Sequence, residues 1–230
     1  MKQIITILFI LLSISVNASE NLETPYNIWL VGASFSIGPT MHEPGPRLGQ
    51  QLASLVGDNG LTIRGDAGHS AYNLFEEGKY LLNKYGHDPA DFLIIDVTGS
   101  VFYERDKLIY HIKNLISLYK KHPVAKYKTT VLVNSYPTLA GGNWFTEQYF
   151  NQKTYDIFNN QFESMVKSSG GILVNAWEHW QSNNYPHPQL NNKPDYHPTG
   201  KSSRRAAITL LYTIENIWAC NTVSKSQNCE

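Results

Sequence analysis

The chain has 230 residues, with 19 basic and 19 acidic side chains and a formal net charge of zero at pH 7. This length is sufficient for one α/β domain with an apolar core. The balanced charge argues against electrostatic binding of nucleic acid or of an anionic membrane surface, because both depend on an excess of basic side chains.

Residues 1–18 have the features of a secretory signal peptide. Lys2 provides a positive start, residues 4–16 are an apolar block, and Val16-Asn17-Ala18 approximates a cleavage site. The apolar block is shorter than the about 20 residues that a membrane-spanning helix needs. We therefore expect a secreted or periplasmic protein without stable membrane insertion after cleavage, folded as a single domain over residues 19–230. An uncleaved amino-terminal anchor is the alternative.

From residue 27 onward, strand-like and helix-like segments alternate. The strand-like segments are continuous runs of Ile, Leu and Val, which is typical of strands covered on both faces. The helix-like segments carry apolar residues at helical spacing, and Thr199 is the expected N-cap of the last one. Five successive β–α units predict a five-stranded parallel sheet in a three-layer α/β/α sandwich. The expected strands are 27–31, 61–64, 91–97, 129–134 and 171–175, and the expected helices are 47–56, 71–84, 106–121, 153–167 and 200–218.

The first strand-like run ends in Gly32-Ala33-Ser34-Phe35-Ser36. A serine at the end of a central strand faces the crevice at the carboxyl edge of the sheet, where open α/β folds bind ligands. Helix amino termini nearby would offer unpaired N–H groups to a developing negative charge. Ser34 is therefore our candidate nucleophile, and Ser36 is expected to lie past the turn.

Polar residues follow the other expected strands as well. Gly68 follows the second strand, Ser100 follows the third, Asn134 ends the fourth, and His197 lies just before the last helix. A serine hydroxyl becomes a good nucleophile only when a base takes its proton, and neutral histidine is suited to that near pH 7. His197 is the favoured base, and His187, which no helix follows directly, is its rival.

The order of these motifs resembles that of the SGNH (GDSL) hydrolases, a family of serine esterases and lipases, over nearly all of the mature chain. Residues 32–38 resemble the first block, Gly-Asp-Ser-Leu-Thr-x-Gly, with Ala33 in place of the Asp, and residues 64–70 resemble the second. By this resemblance Ser34 is the nucleophile, the N–H groups of Ser34 and Gly68 belong to the oxyanion hole, and His197 is the general base. The resemblance implies a flavodoxin-like fold and ester hydrolysis through an acyl-enzyme, without a cofactor or a metal.

Two blocks depart from the pattern of the family. The third block normally reads Gly-x-Asn-Asp, and Ser100 stands in the place of the asparagine, which donates to the oxyanion. The Ser100 hydroxyl is the expected substitute donor, and the side-chain amide of Asn134 is the alternative. The family's Asp lies three residues before the histidine, where this chain has Pro194. Asp195, two residues before His197, is the expected orienting carboxylate, and a backbone carbonyl is the alternative.

The sequence leaves the ester substrate open. Aromatic residues in two loops, with asparagines near them, favour a carbohydrate surface, and hence a glycan or small-molecule ester, with removal of O-acetyl groups from a carbohydrate preferred. An acyltransferase on the same scaffold and a catalytically impaired ligand-binding protein are the alternatives, and a monomer is expected. The aromatic residues are Trp144, Phe145, Tyr149, Trp177, Trp180 and Tyr185.

The two cysteines, Cys220 and Cys229, lie close together near the carboxyl terminus. In an oxidising compartment they predict one disulfide that closes a short tail loop, with two unpaired thiols as the alternative. A metal site is not expected, because no third and fourth ligand occur at suitable spacing.

Overall fold

The structure is a computed structural model. It describes residues 24–37, 46–57, 60–66, 68–97, 105–134, 152–177, 186–187, 193–194 and 198–223. The expected signal peptide lies outside these residues. In the part of the chain that is described, no helix has both the length and the apolar character that crossing a bilayer requires.

The centre of the fold is a five-stranded parallel sheet with the order β2-β1-β3-β4-β5. This arrangement confirms the predicted sheet and is the flavodoxin-like order. The direction in which strands are added reverses between β1 and β3, and sheets of this kind bind ligands in the crevice at that point. The strands are β1 (Ile28–Gly32), β2 (Leu61–Gly65), β3 (Phe92–Asp96), β4 (Thr130–Asn134) and β5 (Ile172–Val174).

Helices cover both faces of the sheet, which confirms the predicted three-layer sandwich. Alternate residues of a strand point to opposite faces. Trp29 and Val31 of β1 thus pack with α2, α3 and α5, while Ile28 and Leu30 pack with α1 and α6. The helices are α1 (Leu48–Val56), α2 (Ala71–Tyr85), α3 (Arg105–Lys121), α4 (Ala125–Lys128), α5 (Gln152–Ser168) and α6 (Gly200–Val223).

Three short elements were not predicted. They are α4 and the antiparallel pair β6 (Pro186–His187) and β7 (Lys193–Pro194). Two residues of strand or one turn of helix are too short to show a hydrophobic period, so sequence patterns do not reveal them. The predicted cap of the last helix is confirmed, because the Thr199 hydroxyl accepts the Ser202 N–H at 3.2 Å.

Candidate active site

The candidate nucleophile lies in a tight turn at the end of β1. The N–H groups of Ser36 and Ile37 both donate to the carbonyl of Ala33, at 2.9 and 2.8 Å. Ser34 is half-buried, whereas Ala33 and Phe35 on either side of it are buried. The turn therefore leaves Ser34 accessible at the carboxyl edge of the sheet, beside the point where the strand order reverses.

Backbone N–H groups at the amino terminus of α1 donate hydrogen bonds to this turn. The Gly49 N–H donates to the Ser36 carbonyl at 3.0 Å, and the Leu48 N–H donates to the Phe35 carbonyl at 3.5 Å. The first N–H groups of a helix have no partner within the helix and can donate either to a ligand or to other backbone carbonyls. Here these two serve the backbone and are not available to a developing negative charge, while a contribution from the amino terminus of another helix stays a prediction. What α1 provides is a fixed position for the turn.

Ser36 belongs to the turn and does not lie past it, so that expectation was wrong. Its side chain is fully buried, and its hydroxyl donates to the carboxylate of Asp96 at the end of β3. Gly32 makes room for it, because a Cβ at position 32 would collide with the Ser36 side chain. The turn is thus fixed through its buried side chain as well as through its backbone.

The end of β2 lies directly beside the end of β1. Gly32 and Gly65 are paired in register, and a Cβ on Gly65 would collide with the Gly32 carbonyl oxygen. Gly65 also has a φ of 136°, a conformation that L side chains rarely adopt. Two glycines therefore allow these strand ends to approach closely, and the loop that carries Gly68 leaves the sheet next to the Ser34 turn.

We expect Gly65→Ala to lower the free energy of unfolding by more than about 3 kcal/mol, because it adds a backbone collision to an unfavourable φ. Gly57→Ala is the matched control, since Gly57 has a φ of 78° but no atom within 4 Å of the added Cβ. It should cost about 1–2 kcal/mol, the cost of the backbone conformation alone. Urea unfolding of both variants measures the difference, and equal losses would contradict the close approach of the strands.

The loop after β2 presents Gly68 at the same edge. Gly68 is exposed with a φ of 80°, between Asp66 and His69. The Asp66 N–H donates to His69 Nδ1 at 3.2 Å, and the His69 N–H donates to the Asp66 carbonyl at 3.3 Å. The loop then enters α2, where the Ser70 hydroxyl accepts the Asn73 N–H. A closed loop of this kind can preorganise an N–H donor, although the oxyanion role of Gly68 stays a prediction.

Asn134, the alternative oxyanion donor, has another role. Its side chain is fully buried at the end of β4, with Nδ2 donating to Asp96 at 3.1 Å and Oδ1 accepting the Ala176 N–H at 3.2 Å. An oxyanion donor has to face the ester. The Asn134 amide faces Asp96 in the interior and is therefore not positioned to donate to an oxyanion at Ser34.

Trp177 was expected on a carbohydrate-binding surface, and that prediction was wrong. Its side chain is buried, and its ring packs edge-on against Phe35 with 6.1 Å between the ring centroids. Its indole N–H donates to Asp96 at 3.1 Å. Trp177 therefore belongs to the packing behind the Ser34 turn.

Asp96 is the residue at this edge that the sequence analysis missed. The only signal was a single carboxylate at the end of an otherwise apolar strand, Phe92–Asp96. A charged side chain is rarely placed at a buried position unless it has partners there, so this position was worth questioning.

Solved structures with this arrangement of strands and helices are named as lipases and esterases. A GDSL-like lipase from Bacteroides thetaiotaomicron superposes with a TM-score of 0.58 at 17% identity, covering 83% of this chain and 88% of that one. The chain has the SGNH-hydrolase fold. A member of the lipolytic G-D-S-L family from Veillonella parvula has a TM-score of 0.56 at 11% identity, with coverages of 82% and 98%. The psychrotrophic esterase EstA from Pseudoalteromonas sp. has a TM-score of 0.53 at 14% identity, with coverages of 84% and 98%.

These likenesses confirm the resemblance at the level of the SGNH fold. No protein-family model matches the sequence, and no curated protein matches it either. At identities this low the SGNH fold is shared while the chemistry has to be argued from the residues of this chain.

Three predicted site residues of the SGNH pattern, Ser100, Asp195 and His197, lie outside the described residues and stay predictions. The rival base His187 lies in β6, paired with Lys193 of β7. Within the described ranges, no group of three or more His, Cys, Asp or Glu side chains could hold a metal ion.

Hydrogen bonds join α6, the helix that follows His197 in sequence, to α1, the helix that contacts the Ser34 turn. Gln51 Nε2 of α1 donates to the Gly200 carbonyl at 3.4 Å, and the Arg204 guanidinium of α6 donates to Ser54 Oγ at 2.8 Å. Because α6 begins three residues after His197, these bonds fix the end of the segment that carries the predicted base.

Proposed function

We propose that the protein is an exported serine esterase that hydrolyses acyl esters through an acyl-enzyme on Ser34. The observation that carries the proposal is the placement of Ser34, accessible in a turn at the exit of β1 in an SGNH fold. Backbone donors of α1 and the buried Ser36–Asp96 bond hold that turn from two sides. A nucleophile held in this way is preorganised for attack.

In the first half-reaction, His197 takes the Ser34 proton while Ser34 Oγ attacks the acyl carbon, and the carbonyl electron pair moves onto oxygen. The N–H groups of Ser34 and Gly68 and the Ser100 hydroxyl stabilise that oxyanion. As the intermediate collapses, the bond to the alcohol oxygen breaks and His197 returns the proton to the leaving alcohol. Asp195 orients the imidazole and stabilises its charged form.

In the second half-reaction, water takes the place of the alcohol. His197 removes a proton from water as the water oxygen attacks the acyl carbon. When the second tetrahedral intermediate collapses, the bond between the acyl carbon and Ser34 Oγ breaks, His197 returns the proton to Oγ, and the acid leaves. No cofactor or metal enters this sequence of bond changes.

A fluorophosphonate probe tests the proposed function directly. Phosphorus reacts with an activated serine, so native protein should be labelled on the peptide that contains Ser34, as read by mass spectrometry after digestion. Heat-denatured protein is the control and should remain unlabelled, because activation needs the folded site. A folded protein that takes no label would contradict the esterase and support the alternative of a ligand-binding protein with this fold.

We propose O-acetyl esters of a carbohydrate as the substrate class, supported by Trp144, Phe145, Tyr149, Trp180 and Tyr185 in two loops of the sequence. These five residues lie outside the described part of the structure, whereas Trp177 is buried against Phe35 and does not form part of such a surface. Acetate release from an acetylated oligosaccharide, compared with hydrolysis of p-nitrophenyl acetate, measures the preference. A kcat/KM for the oligosaccharide below that for the aryl ester would contradict it.

If the protein is exported, we expect a disulfide between Cys220 and Cys229 near the carboxyl terminus. Cys220 lies half-buried in α6, and Cys229 lies outside the described residues. If the two form a disulfide after export, the intact mass of the unreduced protein should be about 2 Da lower than after reduction. Activity should survive reduction, because the loop is short and remote in sequence from the proposed site. Alkylation of both thiols in native, unreduced protein would refute the disulfide.

A further inference from the structure

The buried carboxylate of Asp96 accepts hydrogen bonds from side chains of three other segments at the carboxyl edge of the sheet. Within the described part of the chain, Ser36 from the turn after β1 donates to Asp96 Oδ2. Asn134 Nδ2 from the end of β4 and Trp177 Nε1 from beyond β5 both donate to Oδ1, each at 3.1 Å. All four side chains are buried. Asp96 therefore joins the ends of β1, β3 and β4 and the segment after β5.

The direction of two of these hydrogen bonds is fixed. An indole N–H can only donate. The Asn134 amide is oriented by the Ala176 N–H, which donates to its Oδ1 at 3.2 Å, so Nδ2 is the atom that faces Asp96. Asp96 Oδ1 must accept from both, and this leaves Oδ2 for the Ser36 hydroxyl.

Of these three donors, Ser36 is the one that lies in the same turn as Ser34, the proposed nucleophile. It lies two residues after Ser34, and its backbone N–H and carbonyl close the turn against Ala33 and Gly49. Movement of the Ser36 side chain therefore moves the turn directly. Asn134 contacts Asp96 from the end of β4, and Trp177 contacts both Asp96 and the ring of Phe35 in the turn.

We propose that Asp96 is a positioning residue that holds the Ser34 turn through Ser36. The inference rests on the proposed function, because the position of Ser34 matters to a rate only if Ser34 is the nucleophile. Reactivity is sensitive to such placement, since a shift of about 1 Å at the reacting atom can cost about a hundredfold in rate. Because Asp96 is fully buried, we expect it to affect the rate of acyl transfer more than the binding of substrate.

The test compares Ser36→Ala, which removes the hydrogen bond from the turn to Asp96, with a matched variant that removes a buried hydroxyl elsewhere. The matched control is Thr129→Val, because the buried Thr129 hydroxyl donates to the Ala90 carbonyl at 2.7 Å just before β4 begins, at the opposite edge of the sheet from the Ser34 turn. Steady-state hydrolysis of p-nitrophenyl acetate gives kcat and KM, and thermal unfolding gives the stability of each variant. We expect Ser36→Ala to lower kcat by about tenfold to a hundredfold with KM within about twofold. Thr129→Val should lower the unfolding temperature but leave kcat within about twofold.

Asp96→Asn supplies a second variant that keeps the shape of the side chain. Its Oδ1 can still accept from Trp177 and Asn134, while its amide meets Ser36 in a neutral and weaker hydrogen bond. We expect kcat to fall by about threefold to tenfold with KM nearly unchanged. If Ser36→Ala does not fold, this variant decides: an unchanged kcat overturns the positioning role, and the expected fall supports it.

Ser34→Ala distinguishes a failure of the proposed esterase function from a failure of the proposed positioning role of Asp96. If Ser34→Ala is inactive while Ser36→Ala and the control Thr129→Val both keep the wild-type kcat, the positioning role is overturned and the esterase stands. If Ser34→Ala hydrolyses the ester as fast as the wild type, both are overturned. Loss of kcat confined to Ser36→Ala and Asp96→Asn supports the inference.

Discussion

Ser34→Ala should lower kcat/KM for a short-chain ester by about 10⁴-fold or more, because the hydroxyl that forms the acyl-enzyme is gone. The fold should persist, since Ser34 is half-buried and the residues that pack beside it, Ala33 and Phe35, are unchanged. Hydrolysis of p-nitrophenyl acetate gives the rate, and thermal unfolding shows that the variant is folded.

Ser168→Ala is the matched control for Ser34→Ala. Ser168 ends α5, and its hydroxyl donates to the Met165 carbonyl within the same helix. Its removal should leave kcat/KM unchanged. If purified Ser34→Ala keeps more than about a tenth of the wild-type kcat/KM, the assignment of the nucleophile is wrong.

His197→Asn should lower kcat by about 10³-fold or more, because no neutral imidazole then takes the Ser34 proton. His187→Asn is the control, since His187 is the rival base and lies beside prolines like His197. It should keep nearly full activity. The rates of both variants with p-nitrophenyl acetate, and their labelling by a fluorophosphonate, decide between the two histidines.

The opposite result for the two histidine variants would identify His187 as the base. An inactive His187→Asn together with an active His197→Asn would move the base to the segment of β6 and leave Ser34 as the nucleophile. The serine and the histidine are thus tested independently.

The layers of the fold could be predicted because each depends on a local pattern. The runs around Ile28, Leu93 and Val131 have the length and composition of buried strands, and the helices between them show a helical period. Thr199 was recognisable as a cap because an N-cap acts within one turn of its own helix.

The surroundings of Ser34 could not be predicted in the same way. The Ser36–Asp96 bond joins residues 60 positions apart, and the Trp177–Asp96 bond joins residues 81 apart. No period or motif links such positions in a single sequence. Trp177 was misplaced for this reason: an aromatic residue before a polar loop has the same local pattern whether it faces a ligand or fills the core.

The α1–α6 contact has a consequence for the order of assembly. Arg204 and Ser54 are 150 positions apart, so the two helices can dock only after nearly the whole chain has been synthesised. Contacts of such long sequence separation form slowly, because the intervening chain must first be ordered. The proposed nucleophile, Ser34, is synthesised early, and the proposed base, His197, is synthesised just before the last helix. If Ser34 and His197 have the proposed roles, a chain still emerging from the ribosome or an export channel would carry the nucleophile without its base, and hydrolysis would begin only when folding is complete.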